Sequence, residues 1–585
     1  MAKLHFIYVK GYSMKRLSKY LRGYVVESIL GPFFKLVEAT LELIVPLIIA
    51  YMIDYGIKGE NTGTVVKYSL ILLLLGAVGL AFSVTAQYFC AKAAVGFGTR
   101  IRSALFSHMQ SFSYTDIDEL GTSTMITRMT ADAEKVQSGL NFTLRLLLRS
   151  PFVVFGAMIM AFTIDFEASI SFIAVIPLLS IVVFGILLIT MPLYKKVQGG
   201  TDSLLLSTRE NLAGARVIRA FRKESDEIAA FESKNDILTL VQKRVGRISA
   251  LLNPLTYILI NLAILWLVYS GAIRVDTGDL TQGEVIALYN YMSQILIELV
   301  KLANLIITIS KALASAARIS KVLDTETTAR FGNNTDFENA EYAVEFDNIS
   351  LTYKRGGAPA VSGIDLKVRP GETVGIIGGT GSGKSSLINL IPGFYDATEG
   401  EVRIFGKEVH SYSEAGLREK IGIVPQRAVL FKGTIRENLA WGDADADDTQ
   451  MLRALEIAQA RDVVEDKGGL DAMVEQGGKN LSGGQRQRLT IARALVGAPR
   501  ILILDDSASA LDYATDAALR RSLREIGGDT TIFVVSQRAA SVMHADKILV
   551  LDDGECVGLG THEELLSFCS VYREIYDSQF KKEGA

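Results

Sequence analysis

Cysteine is scarce in this chain of 585 residues, with only three. Cys90, Cys556 and Cys569 match neither a zinc-ligand spacing nor a disulfide framework, so they are read as ordinary reduced thiols. No sign of charge dominates either. A net charge of −3 and a pI near 6.1 give no reason to expect a nucleic-acid partner. Ahead of the first apolar stretch there is no short apolar core with a small-residue cleavage pattern, so no cleavable signal or transit segment is expected. Charge is missing altogether from three long stretches, Tyr68–Ala91, Ala168–Tyr194 and Ile248–Ile273. Each is long enough to cross the roughly 30 Å hydrocarbon core as a helix.

What is present is apolar surface, 49% of residues with a mean hydropathy of +0.28, concentrated in the first half. Three further apolar stretches, about Gly31–Ile53, Leu144–Ile164 and Val285–Ser310, bring the expected membrane helices to six. Basic residues set their orientation. Lys3, Lys10, Lys15, Arg16, Lys19 and Arg22 precede the first helix, and the long stretches from Lys92 to Arg149 and Lys195 to Arg247 are rich in Lys and Arg. The short connections Ile53–Lys67, Asp165–Glu167 and Arg274–Glu284 carry few. The positive-inside rule then places the N-terminus and both long connections in the cytoplasm. Those connections are too long for structureless loops and keep a helical period. They are read as membrane helices continuing into stalks, with tips at Ser113–Glu119 and Asn211–Ala220. Within the first helix Lys35, Glu38 and Glu42 share a face, and in the last Glu298 and Lys301 are three apart. Ionisable groups in lipid face the interior, a water-filled path or one another. Pairing within each helix is the simplest arrangement.

After residue 324 the chain turns polar, and 325–341, with Gly332-Asn333-Asn334-Thr335, reads as a linker between a membrane domain (1–324) and a second domain (342–580). There, short β-branched runs alternate with helical stretches: Thr373–Ile377, Ile421–Val424, Ile501–Leu504, Thr531–Val535 and Lys547–Leu551. This predicts an α/β fold with a largely parallel sheet. Gly378-Gly379-Thr380-Gly381-Ser382-Gly383-Lys384-Ser385, followed by Ser386, is a P-loop between a strand and a helix. Its glycines let backbone N–H groups close on phosphate oxygens, and the helix N-terminus adds a favourable dipole. Lys384 supplies charge to the outer phosphates of ATP, and Ser385 with Asp505 is expected to hold Mg²⁺. Tyr353 offers a ring on which adenine could stack.

Leu481-Ser482-Gly483-Gly484-Gln485 opens a helical run about 100 residues after the P-loop. With Gln426 after Ile423-Val424-Pro425, Ser509-Ala510-Leu511-Asp512, and the stalk segment Arg209–Gly214 continuing to Phe221, the whole chain resembles the exporter-type half-transporters of the ATP-binding cassette (ABC) superfamily. It is most similar to the degenerate-site subunits of bacterial heterodimeric multidrug exporters. The resemblance implies six transmembrane helices ahead of a cytoplasmic P-loop domain, in the inner (plasma) membrane. It further implies that Gln426 serves the metal and the reacting water, and that a second subunit completes each ATP site. Ser482, Gly483, Gly484 and Gln485 would face ATP held on that partner.

Two positions depart from the family pattern. Asp506 stands where a water-activating glutamate is usual, and Gln537 where a histidine is usual; the nearest histidine in sequence is His544. Asp506 keeps a carboxylate but is one methylene shorter, and Gln537 donates hydrogen bonds without becoming a cation. The segment Val474–Gly478 also places its glutamate one residue early. The expectation is ATP held at a slowly hydrolysing site, with the signature lent to a competent site on the partner. Hydrophobic or amphipathic compounds moving across a lipid bilayer are the expected cargo. An ATP-gated regulatory or channel-like protein, and an importer on the same fold, remain open alternatives.

Overall fold

The computed structural model describes residues 16–580 apart from 329, 354–356, 527 and 529. Lys3, Lys10 and Lys15 of the basic leading segment lie outside the described residues, as does one position of the expected linker. The chain divides into two compact units: the described residues up to Gln110 with Ser123–Thr325, and Ser111–Thr122 with those from Glu326 onward.

In the first unit, among the described residues, six helical segments are long and apolar enough to cross a membrane. They are Ser18–Ile57, Thr62–Gln110, Thr122–Ile164, Phe166–Ala213, Glu224–Asp276 and Gln282–Leu323, one over each expected stretch. Thr62–Gln110 has 49 residues, roughly 73 Å at the helical rise, so it extends well beyond a bilayer core. Its outward side chains are apolar, Leu73 at 74% and Leu80 at 66% exposure, a surface suited to lipid rather than water. The opposite faces of the bundle close on Phe172, Leu179, Leu267 and Tyr291, and the Tyr291 hydroxyl donates to the Leu43 carbonyl at 2.6 Å.

The charged residues in this bundle do pair within helices, Lys35 with Glu38 at 2.5 Å and Lys301 with Glu298 at 2.8 Å. They also pair across helices, through a residue that the sequence had grouped with the basic connection. Arg149 is buried, and its guanidinium donates to Glu298 Oε1 and Glu42 Oε2, each at 2.6 Å. Ser150 Oγ donates to the other Glu298 oxygen at 2.8 Å. Arg149 therefore belongs to the interior of the bundle, because only its two carboxylate partners make a buried guanidinium tolerable there.

Both expected stalk tips are short helices. In the second unit, α1 (Tyr114–Leu120) begins with a capping box in which Ser113 and Asp116 satisfy each other's backbone N–H. In the first unit, the long helix runs on to Ala213 and a single turn, Ala215–Ala220, follows.

The rest of the second unit holds a six-stranded sheet and a four-stranded sheet. The strands of these two sheets in chain order are β1 (Val344–Leu351), β2 (Val361–Val368), β3 (Thr373–Gly378), β4 (Glu399–Ile404), β5 (Lys407–Glu408), β6 (Ile421–Val424), β7 (Ile501–Asp505), β8 (Thr531–Ser536), β9 (Lys547–Asp552) and β10 (Glu555–Gly560), and a separate two-stranded pair joins Gly433–Thr434 to Met473–Val474. The larger sheet has the order β10-β9-β3-β8-β7-β6, parallel except for β10. All five residues of β7 are buried, which explains its unbroken apolar run. The smaller sheet, β2-β1-β4-β5, is antiparallel and absent from the sequence-based expectation. The helices that matter for the site are α2 (Lys384–Ile388), α3 (Gly483–Val496), α4 (Tyr513–Glu525), α5 (Ala539–Val542) and α6 (Ser570–Phe580).

Candidate nucleotide site

The parallel strands β3, β7 and β8 end together, and their C-terminal ends deliver the chemistry, as such sheets do. The P-loop turns from β3 into α2 through Gly381 and Gly383 at φ +87° and +90°. A Cβ on Gly383 would lie 2.3 Å from the Ala360 carbonyl, so conformation and space both require glycine there. Lys384 Nζ lies inside the loop, donating to the Gly378 carbonyl at 3.0 Å and the Gly379 carbonyl at 2.5 Å. Burial pushes its pKa down from the ordinary lysine value, although Asp505 and Asp506 oppose this. An incoming polyphosphate favours the charged form.

Ser385 Oγ donates to Asp505 Oδ1 at 3.1 Å. Asp505 is 8% exposed; burial raises its carboxyl above the usual range, the Ser385 bond pulls the other way, and Asp506 adds to the rise. No group of three His, Cys, Asp or Glu side chains that could hold a metal occurs among the described residues. Ser385 and Asp505 are bonded to each other and line one cavity with Gln426, and oxygen donors of this kind suit a hard cation that takes few protein oxygens and completes its shell with water and phosphate, as Mg²⁺ does.

One cavity of about 360 Å³ is lined by Tyr353, Thr380, Gly381, Gly383, Lys384, Ser385, Ser386, Gln426, Asp505, Asp506 and Gln537, among others. Gly378, Gly379 and Ser382 shape the loop without lining it. The Tyr353 hydroxyl donates to Ser386 Oγ at 3.0 Å, which fixes its ring beside the P-loop helix. Asp506 sits in the left-handed region, at φ +46°, with its N–H donating to the Val535 carbonyl at 2.9 Å. Aspartate adopts this conformation more readily than most side chains.

The signature residues are not part of this cavity. Ser482 caps α3: its hydroxyl accepts from Gln485 N at 3.2 Å, and Gln485 Oε1 accepts from Ser482 N at 2.9 Å. Ser482 and Gly483 are exposed, so a helix N-terminus with glycines is presented outward.

Several contacts had no sequence signal. Tyr114 of α1 stacks on Phe394 at 4.3 Å, and the Tyr395 hydroxyl donates to Asp118 at 2.7 Å. The Tyr395 ring meets Tyr353 edge-on at 5.1 Å, so α1 is one aromatic residue away from the nucleotide cavity. Asp116 is buried, yet bonds from Thr328 and Ser113 outweigh that burial and hold its carboxyl below the usual range. Arg538 donates to the Ser509 carbonyl at 3.3 Å and lies over the Tyr513 ring, tying the Gln537 segment to the turn after Asp506.

Comparison with known proteins agrees with this arrangement. Residues 28–299 match the family described as the ABC transporter transmembrane region, and 361–509 match the family described as ABC transporter. An uncharacterized ABC transporter ATP-binding protein of Mycobacterium tuberculosis is 36% identical over 552 residues, 93% of this chain and 94% of its own. This chain belongs to the ABC transporter family. An uncharacterized relative in Bacillus subtilis is 34% identical to this ABC transporter over 98% of the chain and all of its own length. The ATP-dependent lipid A-core flippase of Escherichia coli is 30% identical over 82% of this chain and 83% of its own. A bacterial Atm1-family ABC exporter solved with ATP bound aligns with a TM-score of 0.78, covering 97% of this chain and 99% of its own. At 24% identity that likeness concerns the fold, which is the exporter-type arrangement of six membrane helices followed by a cassette. This ABC transporter is thus a multi-pass membrane protein whose cassette belongs to an ATP-binding family.

Proposed function

We propose that this chain is one half of an ATP-driven exporter of hydrophobic or amphipathic compounds, paired with a second, different half. In this reading, 1–324 is the membrane domain, 325–341 the linker and 342–580 the cassette, which lies on the cytoplasmic side of the plasma membrane. One observation carries the proposal: the cavity that gathers the P-loop also holds Asp506 and Gln537, while Ser482–Gln485 lie outside it, with Ser482 and Gly483 exposed. A site built this way binds ATP on one face and leaves the other for a second cassette to complete.

Tyr353 takes the adenine, and the P-loop N–H groups and Lys384 take the phosphates. Mg²⁺ held by Ser385, Asp505 and Gln426 would neutralise charge on the outer phosphate oxygens. In hydrolysis, a water oxygen bonds to the γ-phosphorus as the bond to the β,γ-bridging oxygen breaks. ADP leaves, and the water proton passes to the Asp506 carboxylate. Gln537 donates to a γ-phosphate oxygen but adds no positive charge. Lost acid–base help of this kind lowers rates by roughly a hundred- to ten-thousandfold. ATP therefore persists on this chain, and the signature of α3 serves a faster site on the partner.

The test is ATPase and vesicle transport by the chain alone and with a candidate partner that carries Glu and His at the two positions. Slow turnover alone, and ATP-dependent uptake of an amphipathic dye into inside-out vesicles by the pair, are expected. Full-rate hydrolysis by the chain alone overturns the slow site. An ATP-opened conductance without uptake favours the channel reading, and dye movement in the opposite sense favours an importer.

A further inference from the structure

We propose that Gln579, on the last described helix, is a positioning residue for hydrolysis, because its side-chain amide clamps the turn that carries Gln537. Gln579 Nε2 donates to the Gln537 carbonyl at 2.8 Å, and Gln579 Oε1 accepts from Ala539 N at 2.8 Å. One side-chain amide thus bonds the backbone on both sides of Arg538, as a neighbouring strand's peptide group would. Between these bonds, Arg538 N donates to Ser536 Oγ at 3.0 Å. The Gln537 carbonyl and the N–H groups of Arg538 and Ala539 are thus all held, beside the cavity that Gln537 lines.

The clamp has a firm base. Tyr572, about two turns earlier on the same side of α6, is fully buried, and its hydroxyl bonds His562 Nδ1 at 2.8 Å. It packs in one cluster with Ile377 of β3 and with Ala539 and Val542 of α5. The helix that carries Gln579 is therefore packed against both the strand feeding the P-loop and the helix leaving the Gln537 turn. Glutamine is the residue this geometry needs: a glutamate could still accept from Ala539 but could not donate to Gln537, and an alanine could do neither.

This inference rests on the ATP site proposed above, and its test separates the two. The full-length protein in nanodiscs is compared with Gln579→Ala and Gln579→Glu by three measurements. These are hydrogen exchange at the Ala539 amide, binding of a non-hydrolysable ATP analogue, and single-turnover hydrolysis at this site. A hydrogen bond of ordinary net strength predicts roughly 2- to 12-fold faster exchange at Ala539 in Gln579→Ala. The single-turnover rate should fall by a similar factor, while analogue affinity and exchange in the P-loop stay the same. Gln579→Glu should keep Ala539 protected and lose only part of the rate. Unchanged exchange at Ala539 in Gln579→Ala overturns the clamp. So does a parallel loss of analogue affinity and P-loop protection, which marks a merely structural residue. Failure of the unsubstituted protein to bind the analogue overturns the ATP site instead, while the exchange measurement still decides whether the clamp exists.

Discussion

Replacing Asp506 with glutamate, together with Gln537→His, should speed hydrolysis at this site and weaken the fold at the same time. The added methylene extends the carboxylate by about 1.5 Å, and misplacement of about 1 Å in a catalytic group lowers rates roughly a hundredfold. Recovering that factor lowers the barrier by about 2.7 kcal/mol. The opposing effect comes from the backbone. Position 506 lies at φ +46°, and its N–H is held by the Val535 carbonyl, so the chain there has little room to relax. Aspartate relieves a left-handed conformation by local hydrogen bonding, whereas a longer side chain meets a penalty of order 1 kcal/mol. In a domain of this size that corresponds to a fall of roughly 2–4 °C in Tm. Single-turnover hydrolysis of labelled ATP and thermal unfolding, measured on the same preparations, read both effects. Nucleotide should also leave the double variant sooner, and spin labels should show the two cassettes separating more often. If the double variant hydrolyses no faster than the unsubstituted chain, Asp506 and Gln537 are neutral and the slow-site reasoning fails.

In the assembled pair, Ser482→Arg should nearly abolish turnover while Lys384→Ala weakens ATP binding here yet leaves measurable activity; equal and total loss from both would indicate two equivalent sites. Asp505 carries a carboxyl whose pKa is raised on folding, chiefly by burial, so its contribution to stability is present below about pH 4 and is lost as the pH rises through the higher folded value. Asp505→Asn should therefore raise the Tm of the nucleotide-free protein at pH 7, by a margin that narrows toward pH 4, and should remove stabilisation by Mg²⁺ with ATP; identical melting curves across that range would refute the burial argument. Arg149→Ala leaves Glu298 with Lys301 and Ser150 alone and takes the guanidinium from the half-exposed Glu42, and should destabilise the membrane unit, seen as a lower Tm in detergent. Pairing it with Glu42→Gln and Glu298→Gln should restore much of the loss, and no restoration would mean that Arg149 acts through packing alone.

The parts of this molecule written in local sequence were legible without coordinates. Charge-free runs marked three of the six membrane helices and long apolar stretches the other three, because lipid makes charge costly over a continuous length, and the P-loop was legible because its glycines, lysine and serine lie within eight residues. The sequence also showed that Ser482 and Lys384 lie far apart along the chain, and the structure keeps them in different places. What escaped depends on contacts between distant positions. Arg149 meets Glu42 and Glu298 across 107 and 149 residues, a pairing that its place at the end of the basic connection and within the apolar stretch Leu144–Ile164 did not announce. Tyr395 reaches Asp118 across 277 residues, and Gln579 reaches Gln537 across 42. An exposed glutamine near the end of a helix carries no pattern that announces such a clamp. The antiparallel sheet was missed for a different reason: its strands alternate buried and exposed residues in short pieces such as Val361–Val368, and only their pairing shows them to be one surface.

The ion network around Arg149 also constrains how this sequence can drift. Three helices, Val25–Tyr51, Arg149–Ile164 and Gln282–Leu323, share a single guanidinium. Losing Arg149 takes from Glu42 the cation it meets here and leaves Glu298 with Lys301 and Ser150 alone, whereas losing Glu42 leaves Arg149 paired with Glu298. Descendants of this chain can therefore shed the buried Arg149–Glu298 pair only through coordinated replacements on separate helices, while the half-exposed Glu42 is freer to change. Positions 149 and 298 should accordingly behave as one inherited character, changing together even though the sequence that separates them is free to vary.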